Sequence, residues 1–219
     1  TKSQMTPSLY EAYNFLLLNP DSGRIRKLLT HYEIFKKAMC VPGDIVECGV
    51  FKGAGFMYWL KLLDLYARGE YRKVIGFDTF SEFSKSLLDY EKVNAKRQCW
   101  DAKFEGIDPE DILDQAKAAD LHNCELVKGD VIETIPKYVK ENTGFRISLL
   151  HLDLDAYLGT KTALENLYDL VTPGGIILLD EYGIRGWGES DAVDEFIKDK
   201  DITIHSIRGS YQPTAYIVK

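Results

Sequence analysis

ISLLHLDLD, residues 147–155, is an apolar run that ends in two carboxylates, and GGIILLDEY, residues 174–182, repeats the arrangement. A short continuous apolar run that gives way to acids marks a strand buried on both faces of a parallel sheet, with its C-terminal end at a ligand crevice. Four acids, Asp153, Asp155, Asp180 and Glu181, are thereby expected in one place. Crowded carboxylates resist joint ionisation, so the cluster calls for a cation. A set of oxygen donors without histidine or paired cysteine favours Mg2+, Mn2+ or Ca2+ over zinc. Taken singly, each acid also admits a plainer role as a helix cap or a solvated strand end.

Working outward, strands and helices alternate. Strands are expected at Asp44–Cys48, Lys73–Asp78, Cys124–Lys128, Ile147–Asp153 and Gly174–Asp180. Helices are expected near Gly55–Arg68, Pro109–Ala119, Val131–Glu141, Thr160–Leu170 and Asp191–Lys198. That order predicts an α/β fold, a doubly wound and mostly parallel seven-stranded Rossmann-like sheet with helices on both faces. Ile202–Ile207 and Thr214–Val218, joined by a turn, predict an antiparallel hairpin at the sheet edge. Before the first strand, two helices are expected between Ser8 and Cys40, broken at Asn19–Gly23. The second carries an apolar stripe of Ile25, Leu28, Leu29, Tyr32, Phe35 and Met39. One domain is expected, with residues 1–42 as a helical cap and 43–219 as the core. Residues 80–107, with Trp100 and Phe104 among charged residues, suit either a lid or a surface helical excursion.

The formal charge of −7 argues against a nucleic-acid partner. The densest basic segment, Arg24, Arg26 and Lys27, suits a solvated helix face, from which one or two side chains could meet an anionic substrate. No CxxC pair joins the four cysteines, so neither zinc nor a redox motif is indicated, and no apolar run is long enough for a membrane span. A cytoplasmic setting and no membrane partner are the corresponding expectations. The apolar faces of the N-terminal helices could cover the sheet or a second copy, which makes a homodimer the expected assembly.

The run from Val46 to Gly55 follows the first strand and opens a helix. Its glycines permit a tight turn, and the helix start offers N–H groups to the anionic end of a ligand. It is not GxGxxG, so a dinucleotide pyrophosphate is poorly matched. Asp78, ending the second strand, can accept both hydroxyls of a ribose. Asp130 could face an adenine or cap the helix that starts at Val131.

Together, Gly43–Gly53, Gly76–Phe80, His151–Asp155, Pro173–Gly175 with Leu179–Gly183, and Ala192–Phe196 resemble the macrocin O-methyltransferase family. The resemblance extends over nearly everything after Asp21 and implies a class I enzyme that methylates sugar hydroxyls with S-adenosylmethionine. It implies cofactor contacts from Glu47, Gly49, Phe51, Lys52 and Gly53 on the first turn. Asp78, Thr79 and Phe80, then Gly129, Asp130 and Asp153, complete that set. It also implies Mg2+, reached separately from the four acids. Many members carry two aspartates where this chain has Asp180 and Glu181, and the longer side chain changes the reach to a cation.

On this reading Asp153, Asp180 and Glu181 hold the metal against neighbouring hydroxyls of a sugar-containing small molecule, and Asp153 or Asp155 takes the proton. Strand alternation would put Asp153 and Asp155 on one face, where one orients while the other ligates. His151 shares that face and suits a satisfied core residue. Tyr157 and Tyr182 could touch substrate or pack, and the Gly183–Glu189 loop, with Arg185 and Trp187, could cover a sugar. A nicotinamide-dependent sugar oxidoreductase and a non-catalytic S-adenosylmethionine-binding protein are the alternatives; the absent GxGxxG opposes the first and the acid cluster opposes the second.

Overall fold

The computed structural model describes residues 8–101 and 106–219, with side chains for 8–97 and 106–219. Five parallel strands form most of one sheet: β1 (Asp44–Cys48), β2 (Val74–Asp78), β3 (Cys124–Lys128), β4 (Ile147–Leu152) and β5 (Val171–Leu179). A hairpin, β6 (Ile204–Ser206) and β7 (Ala215–Val218), adds antiparallel to β5 and gives the order β3-β2-β1-β4-β5-β7-β6. The chain therefore leaves β1 towards β2 on one side and returns to β4 on the other, and the crevice sits at this switch point.

Helices α1 (Leu9–Leu18) and α2 (Gly23–Ala38) precede the sheet; α3 (Ala54–Tyr66), α4 (Asp89–Asp101), α5 (Pro109–Ala118), α6 (Val131–Glu141), α7 (Tyr157–Leu167) and α8 (Glu189–Ile197) follow. Alternation along β1 sends Val46 and Cys48 into a core shared with α6, α7 and α8, and Ile45 into a second core beneath α2, α3 and α5. Among the described residues no helix is long and apolar enough to cross a membrane.

Several boundaries differ from expectation for identifiable reasons. β4 stops at Leu152; the Asp153 N–H still donates to Cys48 O at 2.8 Å, but Asp155 then adopts φ +60°. Strand alternation therefore does not relate Asp153 to Asp155. β5 begins at Val171, before the expected Gly174, because its first residue pairs with Ile147 ahead of a register shift. The 80–107 segment contains α4, of which Glu91 is fully buried: its carboxylate accepts the Tyr157 N–H at 2.6 Å and so caps α7. Trp100 and Phe104 lie outside the described side chains.

The largest correction concerns α2. Of the expected stripe, Phe35 is buried and Tyr32 and Met39 pack against the core, but Leu28 and Leu29 face outward, 37% and 60% exposed. Thr30, His31, Ile34, Phe35 and Ala38 are the buried ones. The helix is turned so that the face bearing Lys27 and His31 meets the sheet.

Candidate active site

A cavity of about 290 Å³ opens over the C-terminal ends of the strands. One end is lined by Gly49, Phe51, Asp78, Thr79 and Asp130, the other by Asp153, Asp155, Asp180 and Glu181 with Lys27 and Gln212. Ser81, Phe83, Ser84 and Leu87, from the segment before α4, form a wall. The four acids do converge. Of the other expected cofactor residues, Glu47, Lys52, Gly53, Phe80 and Gly129 lie off the cavity wall.

At the first end, Asp78 is encircled by backbone. Its Oδ2 accepts the Val50 and Phe51 N–H groups, each at 2.8 Å, and its Oδ1 accepts the Phe80 N–H at 2.6 Å. Burial raises its pKa despite these donors. The Thr79 hydroxyl, at 3.4 Å from Oδ1, is its weakest donor and the one that a ribose hydroxyl would replace most easily. Gly49 has φ +95°, and a Cβ there would lie 1.7 Å from the Asp153 carbonyl oxygen, so β1 and the residue after β4 can approach only through glycine. Asp130 caps α6 through Ile132 N–H at 3.1 Å and also accepts the Ser84 hydroxyl while facing the cavity; both of its expected roles are open to it.

At the second end, side-chain charges do what backbone does for Asp78. Lys27 Nζ donates to Asp180 Oδ2 at 3.1 Å and Asp153 Oδ2 at 3.3 Å. His151 is fully buried, with Nε2 3.3 Å from Asp180 Oδ1 and Nδ1 3.2 Å from Glu47 Oε1. Alternation explains the set: Glu47 pairs with His151 in register, and both strands turn them to the α2 side. Glu47 thus sits behind the cavity, so close to α3 that a Cβ on Gly55 would fall 2.4 Å from its Oε1.

Burial opposes the His151 imidazolium, but hydrogen bonds to Asp180 and Glu47 outweigh it and push its pKa up to about 10. Burial likewise opposes the Lys27 ammonium, and the charges of Asp153 and Asp180 outweigh it. Asp180 is held below the usual carboxylate range in spite of burial, by His151 and Lys27. Asp153 is raised by burial and by Asp180. An ion pair at this range gains about 5 kcal/mol at an effective dielectric of ~20, of the same order as the several kcal/mol lost on burying each ion. The network therefore adds little net stability and chiefly fixes positions.

Glu181 and Glu189 are each raised well above the carboxylate range, first by burial and then by neighbouring acids. Glu189 Oε1 accepts the Glu181 N–H at 3.1 Å, and Gln212 Nε2 donates to Glu181 Oε1 at 2.7 Å. The remaining atoms, Glu181 Oε2 and Glu189 Oε2, are buried without a donor. Among the described residues, His151, Asp153 and Asp180 bring one ligand atom each to within 4.8 Å of one another. Two of the three expected ligands are thus placed to share a cation and a histidine joins them, while Glu181 is outside that group and lines the same cavity with its Oε2 lacking a donor. The Asp153 and Asp180 oxygens fit a hard divalent cation.

Lys27, at the cavity, and Glu189, beneath Glu181, join the acid cluster without having been expected in it. Lys27, His31, Ile34 and Ala38 are spaced i, i+4, i+7 and i+11, which is a helix face, yet the more apolar face beside it masked the signal. Tyr157 and Tyr182 pack rather than face the cavity: their hydroxyls donate to Glu195 and Asp194 on α8. Trp187 stacks on Phe83 at 5.8 Å, and Asn94 Nδ2 donates to Gly186 O at 2.7 Å, clasping the Gly183–Glu189 loop to the segment around α4.

The strand order with its antiparallel final hairpin is that of the class I methyltransferases. Within that class, the macrocin-O-methyltransferase (TylF) family model matches residues 23–209, and the chain belongs to that family. The calicheamicin methyltransferase CalS11 superposes with a TM-score of 0.80 at 27% identity over 99% of this chain and 87% of its own. The O-methyltransferase NovP shares the fold, with a TM-score of 0.74 at 22% identity over 89% of this chain and 80% of its own. By sequence the chain is 29% identical over 161 residues to the 8-demethyl-8-(2,3-dimethoxy-alpha-L-rhamnosyl)-tetracenomycin-C 4'-O-methyltransferase of Streptomyces olivaceus, covering 71% of this chain. It is 27% identical over 162 residues to the mycinamicin III 3''-O-methyltransferase of Micromonospora griseorubida, again 71% of this chain. The matches span 58% and 61% of those relatives.

Proposed function

We propose that this chain transfers a methyl group from S-adenosylmethionine to a sugar hydroxyl, on a nucleotide-linked sugar, a glycosylated natural product or a polysaccharide unit. The observation that carries this is the two-ended crevice: a carboxylate at the end of β2 for a ribose, and four acids across the switch point for an acceptor. Support comes from the relatives, both named as O-methyltransferases of glycosylated natural products, and from CalS11, described as a TDP-rhamnose 3'-O-methyltransferase. The cofactor would lie along β1, β2 and β3 against Gly49, Phe51, Asp78, Thr79 and Asp130.

Methyl transfer from a sulfonium is an in-line displacement: the acceptor oxygen forms the new bond to carbon as the carbon–sulfur bond breaks, and the hydroxyl proton must leave. Holding the three atoms in line accounts for much of the rate. Asp153, partly exposed on the cavity, or Asp155 would take the proton. Without metal, Lys27, which bridges Asp153 and Asp180, would hold Asp153 in place, and the wall at Ser81–Leu87 would limit water. When bound to Asp153, Asp180 and Glu181, a divalent ion would lower the proton affinity of the acceptor hydroxyl. A second copy of the chain covering α1, none of whose residues is buried, would complete the assembly.

The test is transfer of label from methyl-labelled S-adenosylmethionine to members of those three acceptor classes, with added Mg2+ and with chelator. Label in at least one sugar, reduced by chelator, is expected. Absence of transfer to every class would refute the reading.

A further inference from the structure

We infer that Lys27 is a tethered cation that competes with a divalent ion for Asp153 and Asp180, so that metal binding requires its side chain to swing away. The inference rests on the proposal that the acid end of the crevice takes a divalent cation. Both oxygens of Asp180 are already engaged, Oδ1 by His151 and Oδ2 by Lys27. Each oxygen keeps a second lone pair, but a divalent ion bonded to Asp180 would sit against the Lys27 ammonium, and two cations at that range repel, so a partner must give way.

The two partners differ in their freedom to leave. His151 has no exposed surface, is held at its other nitrogen by Glu47, and is packed edge-on against Trp59 and His31, at 5.8 and 5.2 Å between ring centroids. Moving it would disturb a close-packed core. Lys27 reaches the acids on a flexible stem, and its side chain is 25% exposed, opening on the cavity. Its backbone is fixed independently, because the carbonyl oxygen of Lys27 lies 2.8 Å from His31 Nδ1. The ammonium can thus leave while α2 stays in place.

The same ammonium contacts Asp153 Oδ2, so one lysine engages two of the three proposed ligands. With Lys27 in place, the site is organised without metal; with it displaced, Asp153 and Asp180 each regain an oxygen for a harder, doubly charged ion. The displaced ammonium remains beside the cavity, within reach of an anionic acceptor.

Mn2+ binding to the 219-residue chain, followed by electron paramagnetic resonance without cofactor or acceptor, tests this on wild type, Lys27→Met and Lys27→Arg. The Met variant should bind Mn2+ roughly tenfold or more tightly than wild type, since it no longer forfeits an ion pair. Its unfolding midpoint should also rise further on adding Mn2+. The Arg variant, whose guanidinium can bridge both carboxylates, should bind more weakly than wild type. Equal Mn2+ affinity in Lys27→Met and wild type would overturn the competition and leave the metal proposal standing, as would an Arg variant that binds as tightly as wild type. An absence of Mn2+ binding in all three proteins would remove both. If the Met variant does not fold even with Mn2+, the comparison of Arg with wild type decides.

Discussion

The two ends of the crevice solve the problem of a buried acid differently. At the β2 end a single carboxylate, Asp78, is surrounded by three backbone N–H groups, all supplied by loops next to strands β1 and β2. At the β4–β5 end Lys27, from α2, pairs with Asp153 and Asp180, and His151, from β4, pairs with Asp180. Backbone donors are fixed by the fold, so the first end is a preformed acceptor site. A side-chain cation on a flexible stem, as Lys27 is, can be exchanged, so the second end can rearrange around a ligand.

Substitutions that exchange these roles should separate binding from chemistry. Asp153→Asn keeps shape and removes a charge; methyl transfer should fall by about 10²–10⁴-fold, the usual worth of a general base. Binding of S-adenosylhomocysteine should change little, and calorimetry beside a kinetic assay checks the split. Comparable losses in both would break the division into two ends.

Asp78→Ala should do the reverse. Cofactor affinity should weaken by about tenfold or more, and the orphaned backbone donors should cost about 1–3 kcal/mol in urea unfolding. A variant with unchanged stability would mean that the loops re-form their hydrogen bonds without the carboxylate.

His31 offers a finer test of the cationic side. Burial, with His151 and Lys27 nearby, depresses its pKa to about 3, against an unfolded value of about 6.5. Between these values the unfolded chain binds a proton that the folded chain does not, so stability contributed by this group falls as pH drops from about 6.5 towards 3. His31→Phe should flatten that part of the stability–pH curve relative to wild type, measured by chemical unfolding at several pH values.

The smallest effect on the crevice is expected at α1, remote from both ends. Leu9, Phe15 and Leu18 are 88%, 73% and 83% exposed. Phe15→Ser with Leu18→Ser should change stability of the isolated chain by no more than ~0.5 kcal/mol. The pair should lower the mass seen by sedimentation if a second copy covers the helix. An unchanged mass would discard the dimer.

Much of this architecture was legible because buried parallel strands leave unbroken apolar runs, and acids at their ends stand out against them. Asp153, Asp155, Asp180 and Glu181 were found that way, and the structure gathers all four at one cavity. What could not be read depended on which way a helix turns. In α2, Leu28 and Leu29 outweigh Thr30 and His31 in hydrophobicity, yet Thr30 and His31 are buried with Ile34, Phe35 and Ala38, because the sheet offers an apolar surface to the last three and Asp180 and His151 to the face that carries Lys27 and His31. Complementary charge across two distant segments leaves no periodic signal in either. The same holds for α4, a mostly polar helix that Glu91 pins to the start of α7.

The central claim is tested most directly by calorimetric titration of the wild-type chain with S-adenosylhomocysteine. One site of micromolar affinity is predicted, with binding abolished or greatly weakened in Asp78→Ala and retained in Asp153→Asn. Failure of the wild-type protein to bind, under conditions where it is folded, would contradict the account.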